Sequence, residues 1–328
     1  MEKILVIGSN SFSGSTFSEF AIRKNYEIIG VSRSDEINSV FLPYKWSSEK
    51  NVKFNKIDIN DQQDKLIELI CSNKIEYIIN FAAQGMVAQS WEAPEDWFRT
   101  NTLSTVKLFN KLKDISFIKK YIHVSTPEVY GSISGFVREN YNFYPSTPYA
   151  ISRASADMSL KVYVNEFKLP AIITRAANVY GPGQQLYRII PRTIIYLLMG
   201  KKLKLHGGGQ SSRSFIHMDD VSNATLKILL NGSVGETYHI STNRVLSIKA
   251  LVEIICKKLN KSFNENVEVA EERIGKDQDY HLNSDKLRNA LSWEDKITLE
   301  TGIDSCIEWV QNNFDILKNQ HLEYIHKR

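Results

Sequence analysis

The chain has 328 residues and a mass of 37.6 kDa, above the size at which a single core usually stops growing, so one large domain with a smaller one appended is expected. A net charge of +4 with acidic and basic residues interspersed gives no footprint for nucleic acid, and three widely separated cysteines, Cys71, Cys256 and Cys306, suggest neither a disulfide framework nor a zinc site. Apolar content is an ordinary 42%, no apolar run approaches the ~20 residues needed to span a bilayer, and no secretory signal is evident, which makes the reduced cytoplasm the expected compartment, with no membrane partner.

Lys3 to Ile7 is a short apolar run of strand character, followed at once by the turn GSNSFSG. An amphipathic stretch, Thr16 to Lys24, and a second apolar run, Glu27 to Val31, complete a strand, turn, helix, strand unit. The pattern repeats with VKFNKIDI as a strand, a helix from Asp61 to Ser72, EYIINFAA as a buried strand, a helix from Glu95 to about Leu112, and the strand KYIHVST. Such alternation predicts an α/β fold with a doubly wound parallel sheet of the Rossmann type. A helix from Ser152 to about Glu166 and a strand within PAIITRAANVYGPG follow. Beyond them the pattern loosens. Helices are expected at Ile189 to Gly200, Val221 to Leu230, Ser247 to Leu259 and Asp285 to Leu291, a loop with a short strand at LKLHGGGQSSRSFIHMDD, a hairpin at its His206-Gly-Gly-Gly turn, and a helical last thirty residues. A first α/β domain over residues 1–180, with return segments near 213–245, is therefore expected to interleave with a smaller C-terminal α/β domain, mainly 181–328.

Gly8 and Gly14 bracket the turn between the first strand and first helix, where one glycine turns the chain and the other lets helix pack on strand. With Asn10, Ser11 and Phe12 between them, they would offer the helix N-terminus to a pyrophosphate. The middle glycine of the G-x-x-G-x-x-G spacing is Ser11, so the match is loose by itself. After the second strand stand Ser32, Arg33 and Ser34, where an Asp would accept from a ribose hydroxyl and repel a 2′-phosphate. Hydroxyls and a guanidinium suit that phosphate, so NADP(H) is favoured with NAD(H) still possible; the alternative is that Arg33 stacks on adenine or is a solvated charge. Asp58 could hold the adenine amino group or simply form a turn.

The densest chemistry lies between Tyr121 and Arg153. There YIHVSTPEVYG delivers Thr126 and Glu128 to a strand end, and PYAISR places Tyr149 and Arg153 four residues apart on a helix. His123, inside the strand, reads as a satisfied core residue.

With GSNSFSG, NFAAQ at Asn80 to Gln84, Asn101, STPEVYG, PYAISR, RAANVYGPGQ, SRSFIHMDDV and RIGKDQDYHLNSDKL in this order, the sequence resembles the extended short-chain dehydrogenase/reductases over nearly its whole length. Within them it resembles the nucleotide-sugar 4,6-dehydratases, and NFAAQGMVAQSWEAPEDWFRTN is most similar to the GDP-mannose branch. The resemblance implies a lyase. C4 of a hexose is oxidised transiently, the C5 proton is removed, the C6 hydroxyl leaves as water, and the hydride returns to C6, giving a 4-keto-6-deoxy sugar for surface glycans. It implies cofactor contacts at Asp58, Ile59, Phe81, Ala82, Ala83, Gln84, Asn101, Tyr149 and Arg153, and substrate contacts at Gln84, Thr126, Asn178, Arg192, Arg213, Arg273 and Asp277. Tyr187, Gln184 and Gln185 would line the sugar pocket.

On this resemblance Tyr149 is the base at O4, Thr126 steadies O4, and Glu128 takes the C5 proton, a residue that C4 epimerases lack. Tyr149 needs its pKa lowered from ~10, which a cation and an oxidised nicotinamide ring would do. The family carries Lys where Arg153 stands, leaving three readings: a working variant, a slowed enzyme, or a binding protein without catalysis. Pro127 takes the place of an Asp that protonates the leaving hydroxyl in the dTDP-glucose branch, which leaves both proton transfers to Glu128 or to water. The substrate is expected to be a GDP-linked hexose, GDP-mannose or GDP-N-acetylglucosamine. The alternatives are a C4 epimerase or keto-sugar reductase, or a non-catalytic dinucleotide binder. The resemblance also implies a homodimer formed through the helices at Glu95 to Leu112 and Ser152 to Glu166, with a tetramer as the alternative.

Overall fold

A computed structural model describes residues 2–47, 52–133, 135–271 and 281–327. Seven short strands form one parallel sheet: β1 (Lys3–Ile7), β2 (Glu27–Ser32), β3 (Lys53–Lys56), β4 (Tyr77–Asn80), β5 (Lys120–Val124), β6 (Ala171–Ala176) and β7 (Thr237–Ile240). Their order is β7-β6-β5-β4-β1-β2-β3, so the winding reverses between β1 and β4 and opens a crevice at their carboxyl ends. The central strands are continuous apolar runs because both faces are covered; separate clusters of buried side chains lie above and below the sheet. This is the expected doubly wound Rossmann architecture.

A third core, built on the helices Ile189–Leu198, Ile248–Lys258 and Leu299–Asn312, forms the second lobe. The lobes exchange segments. Val40 and Phe41, which follow β2, pack into the third core, while Leu287 and Trp293 pack beneath the main sheet.

Several elements depart from expectation, and each departure affects the cleft. The helix around Tyr149 begins at Pro148, because Thr147 caps it by accepting from Ala150 N at 3.1 Å and proline suits the first helical position. Tyr149 therefore sits in a capped first turn. The helix expected from Glu95 is interrupted: Pro94–Trp97 is α-helical, Phe98–Ser104 is π-helical and Thr105–Leu112 is α-helical again. The strand expected within PAIITRAANVYGPG breaks at Ala177. Its second part, Asn178–Tyr180, joins Ser212–His217 and Val245–Ser247 in another sheet.

The expected hairpin at His206 does not form. Gly207, Gly208 and Gly209 all take positive φ (57°, 63° and 70°) and carry the chain from Leu203–His206, paired with Val267–Ala270, into the sheet that contains Asn178. The C-terminal segment is helical only to Leu317. Residues 321–327 alternate exposed and half-buried positions, a period of two that belongs to extended chain.

Candidate active site

A cleft of about 720 Å3 lies between the lobes, above the β1/β4 reversal. On its floor β5 ends at Val124, and Thr126 follows with extended backbone (φ −145°, ψ 147°), as the proline after it favours. The Thr126 hydroxyl donates to the Glu128 carboxylate and caps the short helix Pro127–Tyr130 by accepting from Glu128 N at 3.5 Å. Tyr149 is 9% exposed and lies beside Thr126 and Glu128. Arg153, one turn further along, is 2% exposed; its Nη2 donates to the Val124 carbonyl, and among the described residues Nη1 has no hydrogen-bond partner. The four residues singled out as catalytic therefore converge on one wall.

The lowering expected of the phenol from a cation and an oxidised nicotinamide ring together is not supplied by the protein's own groups. Burial and the nearby Glu128 push Tyr149 up to about 12, outweighing Arg153, Thr126 and Arg188, which pull the other way. The protein by itself keeps the phenol protonated. Arg188, just before the helix Ile189–Leu198, was not anticipated; its signal is a cation at a helix entrance shortly before Pro191.

At the dinucleotide end, Gly8 has φ +88°, and a Cβ there would lie 2.7 Å from Ala82 N, so the turn admits no side chain. Ser11 caps the helix Phe12–Arg23 by accepting from Gly14 N at 3.0 Å, and Ser11, Phe12, Arg33, Phe81, Ala83 and Gln84 line the cleft. Others take structural tasks. Asn10 ties the turn to the segment after β2, donating to the Ser34 and Asp35 carbonyls at 3.0 Å each, while its N–H donates to the Ser32 hydroxyl at 3.0 Å. Asp58 Oδ1 accepts from Asn60 N at 2.8 Å, as in a turn, and Ile59 is buried in the core. Ala82 N donates to Asn80 Oδ1 at 2.9 Å. Asn101 is fully buried in the π-helical turn and clamps Gln84, accepting from its N–H at 2.8 Å and donating to its carbonyl at 3.0 Å.

Toward the second lobe, Asn178, Gln184, Gln185, Tyr187 and Arg192 reach the cleft. Arg213 is not among the lining residues; it is buried in the strand Ser212–His217 and donates to the Ser212 carbonyl at 2.6 Å. Arg273 and Asp277 lie outside the described residues. Sequence reasoning missed the C-terminal tail. Tyr324 lines the cleft against Tyr187, Glu323 pairs with Arg192, His326 stacks on Trp97, and the Lys327 carbonyl accepts from Gln84 Nε2 at 2.8 Å and Arg33 Nη2 at 2.9 Å. The alternation of Leu322, Tyr324 and His326 was the available signal.

A helix N-terminus at a glycine turn, the Arg33 and Gln84 donors, and the unpartnered Arg153 Nη1 form a donor set that fits a nicotinamide dinucleotide. Together with the sheet order and the Tyr149–Arg153 spacing, they define an extended short-chain dehydrogenase/reductase. More narrowly, the chain belongs to the GDP-mannose 4,6-dehydratase family, whose model matches residues 5–306.

It is 33% identical to human dTDP-D-glucose 4,6-dehydratase over 97% of this chain and 92% of the relative. It is 31% identical, over 95% of its length, to a trifunctional UDP-glucose 4,6-dehydratase/3,5-epimerase/reductase of Arabidopsis thaliana, but spans only 47% of that longer protein. Among solved structures, the dTDP-glucose 4,6-dehydratase of Bacillus anthracis in complex with NAD superimposes with a TM-score of 0.86 at 32% identity, covering 97% of this chain and 99% of that one. The Streptomyces venezuelae enzyme DesIV, also a dTDP-glucose 4,6-dehydratase with NAD bound, gives 0.87 at 28% identity, covering 96% and 98%.

Proposed function

We propose that the protein is a nucleotide-sugar 4,6-dehydratase that uses a nicotinamide dinucleotide. The observation that carries this reading is Glu128, hydrogen-bonded to Thr126 beside Tyr149, because water loss needs a second proton-transfer group next to the one that serves O4. A bound dinucleotide would supply hydride acceptance from C4, hydride return to C6, and a positive ring that favours the Tyr149 phenolate. Tyr149 takes the O4 proton, with Thr126 holding O4 and Arg153 stabilising the phenolate. Glu128 removes the C5 proton and gives a proton to the departing C6 hydroxyl; Pro127 has no group that could do so. The low exposure of Tyr149 and Arg153 limits competing water.

The division into a dinucleotide domain, residues 1–180 with return segments near 213–245, and a substrate domain is part of this reading and is supported by the separate cores. Ser32-Arg33-Ser34, without a carboxylate at the end of β2, favours NADP; the two solved relatives described above hold NAD, the competing form. The motif NFAAQGMVAQS favours a GDP-linked hexose, and a dTDP- or UDP-linked glucose is the second reading, favoured by the relatives. A homodimer is proposed from Leu103, Ile151, Met158 and Val162, apolar side chains 43–58% exposed on the two helical segments beside the cleft.

Incubation with GDP-, dTDP-, UDP- and CDP-hexoses, followed by mass spectrometry, is expected to show loss of one water from one of them without net reduction of cofactor. Glu128→Gln should stop water loss and leave C4 oxidation. Stoichiometric accumulation or consumption of reduced cofactor would overturn the proposal.

A further inference from the structure

Tyr149, Arg153 and Asp157 recur every fourth residue and so share one face of the helix Pro148–Phe167. A carboxylate one turn from a buried guanidinium would ordinarily pair with it, and the positive charge would then be neutralised before it reached the phenol. Here the carboxylate is held elsewhere. Asp157 Oδ2 accepts from Arg175 Nη2, on β6, at 2.8 Å and from the Ser125 hydroxyl at 2.6 Å. Arg153 Nη2 instead donates to the Val124 carbonyl and lies 3.4 Å from His123 Nε2.

Burial, reinforced by Arg153, pushes His123 down to about 3, so its imidazole is neutral and can accept without taking charge from the guanidinium. The same ring nitrogen stands 3.6 Å from Asp157 Oδ1, which puts His123 beside both the carboxylate and Arg153. All four side chains are at most 2% exposed. Other groups face the set. Glu128 and Arg188 act on Tyr149 from the cleft, the Tyr130 hydroxyl accepts from Arg175 Nη1, and His239 Nε2, on a residue whose backbone N–H donates to Glu139, lies 2.8 Å from that hydroxyl.

We propose that Arg175, Asp157 and His123 are positioning residues that keep the Arg153 guanidinium unneutralised and directed at the cleft, and that this arrangement lets an arginine act four residues after the tyrosine. The fork of a guanidinium matters here: one nitrogen is anchored on Val124 while Nη1 stays available to a group in the cleft, a division an ammonium makes less well. The inference rests on the reading of Tyr149 as the base at O4, and its test separates the two.

Arg175→Gln leaves Asp157 without its cation. The carboxylate is expected to turn to Arg153, moving the acid limb of the kcat pH profile upward by about one pH unit and lowering kcat at neutral pH about tenfold, with KM little changed. Arg175→Gln/Asp157→Asn, which removes both charges, should return the limb to its wild-type position, and Ser125→Ala, a milder loosening of Asp157, should move it a shorter way in the same direction. A structural defect alone would lower the amount of folded enzyme without moving the limb. A limb unmoved in both Arg175→Gln and Ser125→Ala, or not restored in the double variant, would overturn the proposal. If wild-type protein turns over no nucleotide sugar, the dehydratase reading fails separately, and crystal structures of Arg175→Gln and Ser125→Ala still decide the frame. Arg153 bonded to Asp157 in either supports it; Arg153 still on Val124 and His123 in both overturns it.

Discussion

On the floor of the cleft, Thr126, Tyr149 and Arg153 are each less than a tenth exposed and are fixed by a strand end and a capped helix that both belong to the main core. At the rim, Arg33 and Arg192 are half-buried and meet an extended tail, through the Lys327 carbonyl and the Glu323 carboxylate. Floor contacts are buried in a low dielectric, whereas rim contacts are partly solvated and individually weak. The comparison teaches that rate should depend on the floor and affinity on the rim.

The largest expected effect tests the floor. Tyr149→Phe removes the hydroxyl but little volume, and kcat should fall by about a hundred- to ten-thousandfold with KM almost unchanged in steady-state kinetics. A KM effect of similar size would merge floor and rim.

The next effect concerns stability. His123 and His239 are fully buried and pushed down to about 3, from an ordinary value near 6.5, by burial and the nearby arginines. The unfolded chain binds more protons than the folded one between these limits. Stability is therefore full above pH ~6.5 and is lost as pH falls toward 3, at about 1.4 kcal/mol per pH unit for each histidine. Urea midpoints at pH 7 and pH 5 should show this decline, and His239→Gln should make it shallower.

The smallest effect tests the rim. A chain ending at Gln320 releases Arg33 and Gln84 from the Lys327 carbonyl. Calorimetry should show the 2′-phosphorylated dinucleotide binding about three- to tenfold more tightly, the worth of one hydrogen bond, with kcat changed less than about twofold. Weaker binding would mean that the tail closes over the ligand, and the rim would then be part of the site's enclosure.

Much of the floor was legible because its determinants are local. A proline after Thr126, a four-residue spacing between Tyr149 and Arg153, and a glycine turn after an apolar strand each carry their geometry in adjacent residues. On the side expected for the cofactor, Asn10, Asp58 and Asn101 have side chains that could serve a ligand or the backbone. Asp58 bonds within its own turn, and the backbone hydrogen bonds of Asn10 and Asn101 join segments that sequence spacing alone does not bring together. The tail was misread as helix because its charged residues suit an exposed helix face, while its period of two spans too few residues to outweigh that.

By itself the sequence determined the alternation of strands and helices, the glycine turn and the chemistry gathered after β5, because hydrophobic period and turn chemistry act over a few residues. Only the tertiary structure decided which charges stay unneutralised. Asp157 lies one helical turn from Arg153 in the chain, and nothing local prevents their pairing. It is Arg175, brought alongside by β6, and Ser125, just after β5, that hold the carboxylate away, because in a buried site the nearest partner in space, not in sequence, sets the field at Tyr149.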